Sequence, residues 1–497
     1  MGMYASDGIP RAVHDAHGQV VTQECMLADG AGGEAVKSRG DIFDFTLGGR
    51  RTRNRDPVAA VKEAAQVLCV QLRPEHLPAD ASVEIAAFID DFFMAINETV
   101  PLSVVRSDDL NSAADWGQWI GAVRESVGEV FSAYQAFVAG QDDRLTPDVS
   151  LGLARIAAQY VRWELVDRHV PDADVWALLG QLFVDSVEAA NVQASADDGG
   201  VVREYLRAIA YQSAALDQLP QAGAVGVCRL VDLVLPFLVM RLGDPQGALY
   251  AVNPPTSPIP VRLSRAFAAP GWYFHPAGAT EFLAELHGQL IRGVLPPVLA
   301  GHDPRLLRDA AVHLRRHWST RPPVRRFRRH LVDGQLLVVR GYVNVKSLFE
   351  ARGELTNRAW LITDLSRGGV GALIYKEEAE SIPESGELIA FRPADGSNWH
   401  LGVVRRVRFA KNDAEVGIET LSVRPELVRV DDGRVPTDLF FCDPVQRGEA
   451  VRVIAPVGVL REGAPLFVNA GGHVSKLKQL EGLMSGQGFE LRAYQAL

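Results

Sequence analysis

The sequence predicts a multidomain α + β protein: an all-helical domain, either a bundle or an irregular helical array, followed by an antiparallel β-barrel and a C-terminal β extension. Three observations support this. Helical periodicity runs to about residue 318, a proline-broken arginine-rich junction follows, and short β-rich runs fill the rest. A chain of 497 residues has room for two to four domains. We expect a flexible extension at 1–55, the helical domain at 56–318, the barrel with its arginine-rich linker at 319–432 and the β extension at 433–497.

Composition excludes several classes of protein. The net charge of -10 argues against general nucleic-acid binding, which depends on neutralising phosphates. The apolar run Leu230–Met240 is too short to span a bilayer and predicts a buried helix. The N-terminus lacks the apolar segment of a signal peptide, so a cytoplasmic location is expected. Scattered cysteines argue against a disulfide framework or a metal site: Cys25, Cys69, Cys228 and Cys442.

The helical prediction depends on start signals and on periodicity. An N-cap residue followed by proline occurs at Asp56-Pro57, Thr146-Pro147 and Asp303-Pro304. After the second of these, apolar residues share one helical face: Leu153, Ile156, Tyr160 and Trp163. Residues 253–278 are rich in proline and glycine, and predict a long ordered loop or a hinge between helical subdomains.

The barrel prediction depends on short β-rich runs separated by Gly, Pro, Asn or Asp. The runs include QLLVVRGYVNV, AWLITDLS, GVGALIY, GELIAFRP, WHLGVVRRVRFA and EVGIETLS. Residues 347–358, SLFEARGELTNR, predict a loop between two of them. The later runs either extend the same barrel or form a small appended sheet.

An arginine tract separates the two halves. Between Arg315 and Arg329 the chain carries seven arginines and neither an acidic residue nor a lysine. A guanidinium grips phosphate with two hydrogen bonds and stacks on aromatic rings, whereas an ammonium is only a point charge. The tract therefore suits a ligand that combines phosphates with purine rings. A solvated basic linker lying against the acidic helical domain is the alternative.

A second motif lies between two of the β-rich runs. Asp364 can accept two hydrogen bonds, Ser366 can donate or accept, and Gly369 permits a backbone conformation closed to residues with a Cβ. Asp-x-Ser-x-x-Gly is also a common turn at a strand end, so a purely structural role stays open.

Together, these stretches resemble the PilZ family of cyclic di-GMP receptors. Arg325 and Arg329 match the family's Arg-x-x-x-Arg motif, and Asp364, Ser366 and Gly369 match its Asp-x-Ser-x-x-Gly motif. The strand-like segments 403–407 and 416–421 resemble the family's last strands. The resemblance covers about residues 321–432. Arg321 and Arg325 form a second Arg-x-x-x-Arg pair, so the first motif can be either Arg321 with Arg325 or Arg325 with Arg329.

The resemblance implies a six-stranded barrel with the arginine tract at its mouth. The arginines would contact guanine faces and phosphates, often of two stacked cyclic di-GMP molecules, while Asp364 and Ser366 would contact guanine edges. Arg326, Arg328 and Arg367 are secondary ligand-binding candidates. Ligand binding would order the tract and reorient the neighbouring helical domain. That domain would in turn bind a protein partner whose identity the sequence does not give.

Other functions stay open at this point. Known catalytic and phosphate-cradling motifs are absent from the sequence, so we expect a receptor that is not an enzyme and needs no cofactor or metal. A scaffold with a degenerate barrel is the first alternative, and a single-stranded RNA binder is a weaker one. Trp318 and Trp399 can stack on bases or simply pack in a core.

Overall fold

The computed structural model describes residues 56–73, 82–99, 110–140, 146–187, 193–263, 271–319, 327–351, 358–375, 382–433, 435–470 and 473–497. A mainly helical region at 56–319 precedes two closed antiparallel β-barrels. The predicted order of helical region and barrel is therefore confirmed. The predicted extension at 1–55 lies outside the described residues. Within those residues, no helix combines the length and the apolar character that crossing a membrane requires.

Three helices of the first region begin where the N-cap signals predict. Asp56, Thr146 and Asp303 each accept a hydrogen bond from a backbone N–H in the first turn, and a proline follows each. The helices are α1 (Pro57–Gln71), α2 (Ser82–Thr99), α3 (Leu110–Ala139), α4 (Pro147–Val166), α5 (Ala173–Ser186), α6 (Gly200–Ser213), α7 (Gln221–Val234), α8 (Gly278–Ile291) and α9 (Pro304–His317).

Helix α4 lies at the centre of this region. It packs against α3 on one side and α6 on the other. Leu153, Ile156 and Trp163, predicted to share a face, are buried, and the Trp163 ring meets Trp119 edge-on at 5.5 Å. Burial of such large side chains is the main source of the region's stability.

A five-stranded sheet interrupts the helices, so the prediction of an all-helical domain is wrong. Its order is β1-β2-β5-β3-β4, with β1 (Gln193–Ser195), β2 (Val239–Leu242), β3 (Tyr250–Asn253), β4 (Ser257–Arg262) and β5 (Trp272–His275). Much of 253–278, predicted as a loop or hinge, forms its strands. Pro258 and Pro260 lie in β4, an edge strand, where a missing N–H is tolerated. Pro236 likewise ends the predicted buried helix before β2.

The first barrel closes in the order β10-β11-β8-β7-β6-β9. Its strands are β6 (His330–Arg340), β7 (Arg358–Ser366), β8 (Gly369–Tyr375), β9 (Leu388–Pro393), β10 (His400–Phe409) and β11 (Asp413–Ser422). Leu336, Trp360, Phe391, Val404 and Val416 fill its interior. The predicted strand segments 403–407 and 416–421 lie in β10 and β11.

A helix replaces part of the loop predicted at 347–358. Gly341, at φ +79°, turns the chain out of β6 into α10 (Tyr342–Ala351). Val345 is buried and Phe349 packs beside it, so one face of the helix is held against the barrel. This apolar spacing of four residues predicts a helix, and the loop prediction overlooked it.

The predicted C-terminal β extension is a second closed barrel, ordered β12-β13-β14-β17-β16-β15. Its strands are β12 (Glu426–Asp431), β13 (Thr437–Phe441), β14 (Ala450–Pro456), β15 (Leu466–Ala470), β16 (His473–Ser485) and β17 (Phe489–Ala496). Strand β12, which fell within the predicted range 319–432, pairs with β13 and β15, so it belongs to this barrel. Leu401, Phe440 and Phe489 belong to a buried cluster that joins the two barrels.

The end of α4 meets the first barrel at the end of β10. The backbone N–H of Phe409 donates to the Arg168 carbonyl at 2.7 Å, and Val170 donates back to Phe409 at 2.9 Å. The His169 ring stacks on the Phe409 ring at 5.0 Å. These contacts place one end of β10 directly against the helical region.

Candidate functional site at the first barrel

The central feature of the candidate site is an ion pair between the two predicted motifs. Nη1 of Arg329, just before β6, donates to Oδ2 of Asp364 on β7 at 2.5 Å. The two side chains are only 24% and 19% exposed. The other carboxylate oxygen, Oδ1 of Asp364, is buried and has no hydrogen-bond partner within the described part of the chain. Because a carboxylate normally accepts several hydrogen bonds, Asp364 has unused acceptor capacity.

A bulge in β7 turns the Asp364 side chain to the outside of the barrel. The register shifts between Ile362 and Asp364, which leaves Thr363 as the extra residue. Ile362 and Leu365 on either side belong to the barrel interior. The carboxylate therefore lies on the outer wall, at the end of the barrel where β6 begins and β7 ends.

Two glycines lie across the strands from Asp364 in one row. Asp364 pairs with Gly371, Gly371 with Gly417, and Gly417 with Arg406. A Cβ on Gly371 would lie 2.6 Å from Asp364 Oδ2, and one on Gly417 would lie 3.5 Å from Arg406 Cβ. The glycines thus leave room for the two charged side chains. Three strand spacings of about 4.8 Å put the ends of the row about 14 Å apart.

Arg406 is a site residue that sequence reasoning missed. Its side chain is 26% exposed, and its Nε lies 3.9 Å from Asp217 in the helical region. Burial lowers the pKa of Arg406, and repulsion from Arg408 and Arg329 acts in the same direction, while the Asp217 carboxylate opposes it. The site therefore holds a partly buried cation that an anion would stabilise.

The segment VVRRVRF at 403–409 contains Arg406 between apolar residues of a predicted strand, so the sequence did show a charged residue in the barrel wall. The register of β10 shifts between Val404 and Arg406, so Arg405 occupies a bulge. Val404 and Val407 then both point into the barrel, which puts Arg406 and Arg408 outside. A single sequence does not show where a bulge falls, because strand pairing decides it.

Ser366 and Gly369 shape the β7–β8 turn. The Ser366 hydroxyl donates to the Gly369 carbonyl at 3.2 Å. Gly369 does not adopt a positive φ. The expectation that glycine is needed here for its backbone conformation is therefore wrong. The reason for glycine is space, since a Cβ at this position would overlap the Ile418 carbonyl oxygen on β11.

The remaining arginine candidates divide into two groups. Arg328 and Arg367 are exposed, and the Arg367 guanidinium lies 5.7 Å from the Phe327 ring. That ring lies close to Gly368, where a Cβ would be only 2.8 Å away from it. The others lie outside the described residues: Arg321, Arg325 and Arg326. The Phe327 ring and the exposed Arg367 thus border the turn.

The two tryptophans considered for base stacking have different surroundings. Trp318 is 1% exposed and donates from Nε1 to Ser213 Oγ at 3.1 Å, so it is a core residue of the helical region. Trp399 is half-buried beside the cluster that joins the barrels, with Arg392 5.1 Å above its ring. Neither ring lies among the groups around Asp364 described above.

The described residues contain no group of three or more His, Cys, Asp or Glu side chains placed to hold a metal ion. The charged groups of the site are the guanidinium groups of Arg329 and Arg406 and the carboxylate of Asp364. Comparison of the chain with protein-family models and with curated proteins finds no match.

Proposed function

We propose that the first barrel binds cyclic di-GMP on its outer wall around Asp364, and that the helical region is the output module. The observation that carries the proposal is the direct contact of Arg329 with Asp364, whose second oxygen is buried and has no hydrogen-bond partner among the described residues. The two residues belong to the two motifs that resemble the PilZ family.

The chemistry of the site suits a purine nucleotide with phosphates. The Watson–Crick edge of guanine presents N–H donors, and Oδ1 of Asp364 can accept hydrogen bonds from them. Arg329 and Arg406 can each give charge-assisted hydrogen bonds to a phosphate, which would relieve their mutual repulsion. Phe327 and Arg367 offer flat surfaces against which a base can stack.

The same site offers a route to the helical region. Arg406 lies near Asp217, and Arg408 on the same strand donates to Asp217 at 2.9 Å. A phosphate that draws Arg406 away would remove one of the two cations facing Asp217. We infer that the ligand acts on the helical region by changing this contact, since a ligand can shift a conformation only through differential contacts.

Isothermal titration calorimetry with cyclic di-GMP tests the proposal. We expect saturable binding in the low-micromolar range or tighter, weakened at least tenfold in Arg329→Ala and in Asp364→Ala, consistent with charge-assisted contacts of about 1.5–3 kcal/mol each. The matched control is Arg452→Ala, which breaks a similar arginine–aspartate pair with Asp443 on the second barrel. It should bind like the wild type. Absence of heat with folded wild-type protein would refute the proposal.

An interaction scaffold is the second candidate function. The Arg329–Asp364 pair links the residue before β6 to β7, so it can serve simply to hold the start of β6 against β7. In that case Arg329→Ala should lower the stability of the barrel, and cyclic di-GMP should leave the unfolding temperature of the wild type unchanged.

A further inference from the structure

The helical region contains a second cluster of arginines, far along the chain from the barrel. Side chains from α2, α4, α6 and α7 line a cavity of about 190 Å³. Four of them are guanidinium groups, supplied by Arg155, Arg162, Arg207 and Arg229. Nothing in the proposed function of the barrel uses these residues.

Arg162 is the most deeply buried of the four, at 4% exposed. Its Nη1 donates to Gln159 at 3.3 Å and lies 3.9 Å from Asp232, while its guanidinium lies 4.7 Å from the centre of the Trp163 ring. Its Nε has no hydrogen-bond partner in the described part of the chain. A cation removed from water to this degree requires acceptors, and Arg162 has an unused donor.

The carboxylates near the cavity do not balance its cations. Arg155 pairs with Asp90 at 3.0 Å. Arg207 pairs with Glu204 at 2.7 Å. Asp232 is the remaining carboxylate that lines the cavity, and it faces both Arg162 and Arg207.

Asp232 accepts from the Tyr211 hydroxyl at 2.8 Å and also faces Arg207 at 3.2 Å and Arg162 at 3.9 Å. Arg229 forms no hydrogen bond or ion pair with a described residue, and its Nε is buried. Burial lowers the pKa of Arg229, and the charge of Arg162 lowers it further. Among the described residues, the four guanidinium groups are thus matched by only three carboxylates, those of Asp90, Glu204 and Asp232.

We propose that this cavity binds a small organic oxyanion, whose phosphate or carboxylate group lies between Arg162 and Arg229. The oxyanion would accept hydrogen bonds from the Nε groups of Arg162 and Arg229, which are buried and have no partner among the described residues. Phe93 and Trp163 provide an apolar wall for a short carbon chain. The ligand is small, because cavities of about 150 Å³ hold one benzene ring. A cyclic dinucleotide is far larger, so this site differs from the barrel site in its ligand.

Binding can be tested with inorganic phosphate and with malonate, each titrated at millimolar concentration into the full chain at constant ionic strength. We expect at least one of them to raise the unfolding temperature and to give saturable heat in calorimetry. In Arg229→Gln the affinity should fall at least about tenfold, because a charge-assisted contact is lost. A response to phosphate alone identifies a phosphorylated ligand, and a response to malonate alone identifies a carboxylate.

Arg229→Gln is a suitable variant because Arg229 has no ion pair with a described residue to lose, so the unfolding temperature of the variant without anion should be unchanged or higher. Arg155→Gln, at the more exposed side of the cavity, is the second variant and should also weaken binding. Arg305→Gln on the exposed surface of α9 is the control, and it should bind like the wild type. Equal anion affinity in wild type and Arg229→Gln, or no stabilisation of the wild type by either anion, would overturn the proposal.

Discussion

Arg408 on the first barrel and Asp217 in the helical region form an ion pair, with Nη2 2.9 Å from Oδ2. The Asp217 side chain is 11% exposed and that of Arg408 is 37% exposed, so the pair is partly shielded from water. The two residues are 191 positions apart in the chain, and their contact is one of those that hold β10 against the helical region.

Breaking this pair should lower the stability of the protein. In a double-mutant cycle with Arg408→Met and Asp217→Asn, we expect a coupling free energy of about 1 kcal/mol, because one partner is considerably exposed. Urea unfolding of the four proteins measures it. The matched control is the more exposed Lys411–Asp172 pair, 3.5 Å apart, for which less than about 0.5 kcal/mol is expected. Equal coupling in both cycles would contradict the importance of burial.

Arg406 should contribute to nucleotide binding although no motif includes it. Arg406→Gln removes a cation from the outer wall, so the calorimetric affinity for cyclic di-GMP should fall about tenfold. Its neighbour Arg405 is the control, because the bulge directs it elsewhere and it pairs with Glu419 at 2.6 Å. Arg405→Gln should bind like the wild type. A similar loss in both variants would indicate a general effect of charge.

Gly369 should be intolerant of any side chain. Gly369→Ala would drive a Cβ into the Ile418 carbonyl and force β8 away from β11, so a loss of about 2–3 kcal/mol in the free energy of unfolding is expected. Gly334→Ala on β6 is the control, since its Cβ would lie an ordinary 3.5 Å from Ile362, and it should cost less than about 1 kcal/mol. Urea denaturation compares the two, and equal losses would show that the close approach is not the cause.

The helical region should lose stability in mild acid through His317. Burial, reinforced by the neighbouring His313, lowers the pKa of His317 from 6.5 to about 3. Between pH 6.5 and about pH 3, His317 is protonated in the unfolded chain but stays neutral in the folded protein. The contribution to stability is therefore complete above pH 6.5 and is lost as the pH falls below it, by up to about 1.4 kcal/mol per pH unit.

The measurement is the urea midpoint of the wild type and of His317→Leu from pH 7.5 to 5. The variant should show a smaller slope with pH. Some slope should remain, because the pKa of His313 is also lowered, by burial. An unchanged slope would mean that His317 is not buried in its neutral form.

Local sequence features determined several parts of this protein. The N-caps at Asp56, Thr146 and Asp303 act within one helical turn, so each could be read from a few residues. The same holds for the short β-rich runs separated by Gly, Pro, Asn or Asp, from which the barrel was predicted. The contact of Arg329 with Asp364 was anticipated only because two motifs occurred together, and the structure brings them together.

Tertiary structure alone decided the rest. The sheet in the helical region consists of strands of three to six residues, too short to display a period, and it exists because distant segments pair. The second barrel closes because β12 pairs with β15, and no local pattern encodes that closure. The position of Arg406 on the outer wall, in the same row as Asp364, depends on two bulges and on three cross-strand registers. Short-range propensities act along the chain, whereas register and closure depend on which distant strands share hydrogen bonds, and so only the folded chain defines them.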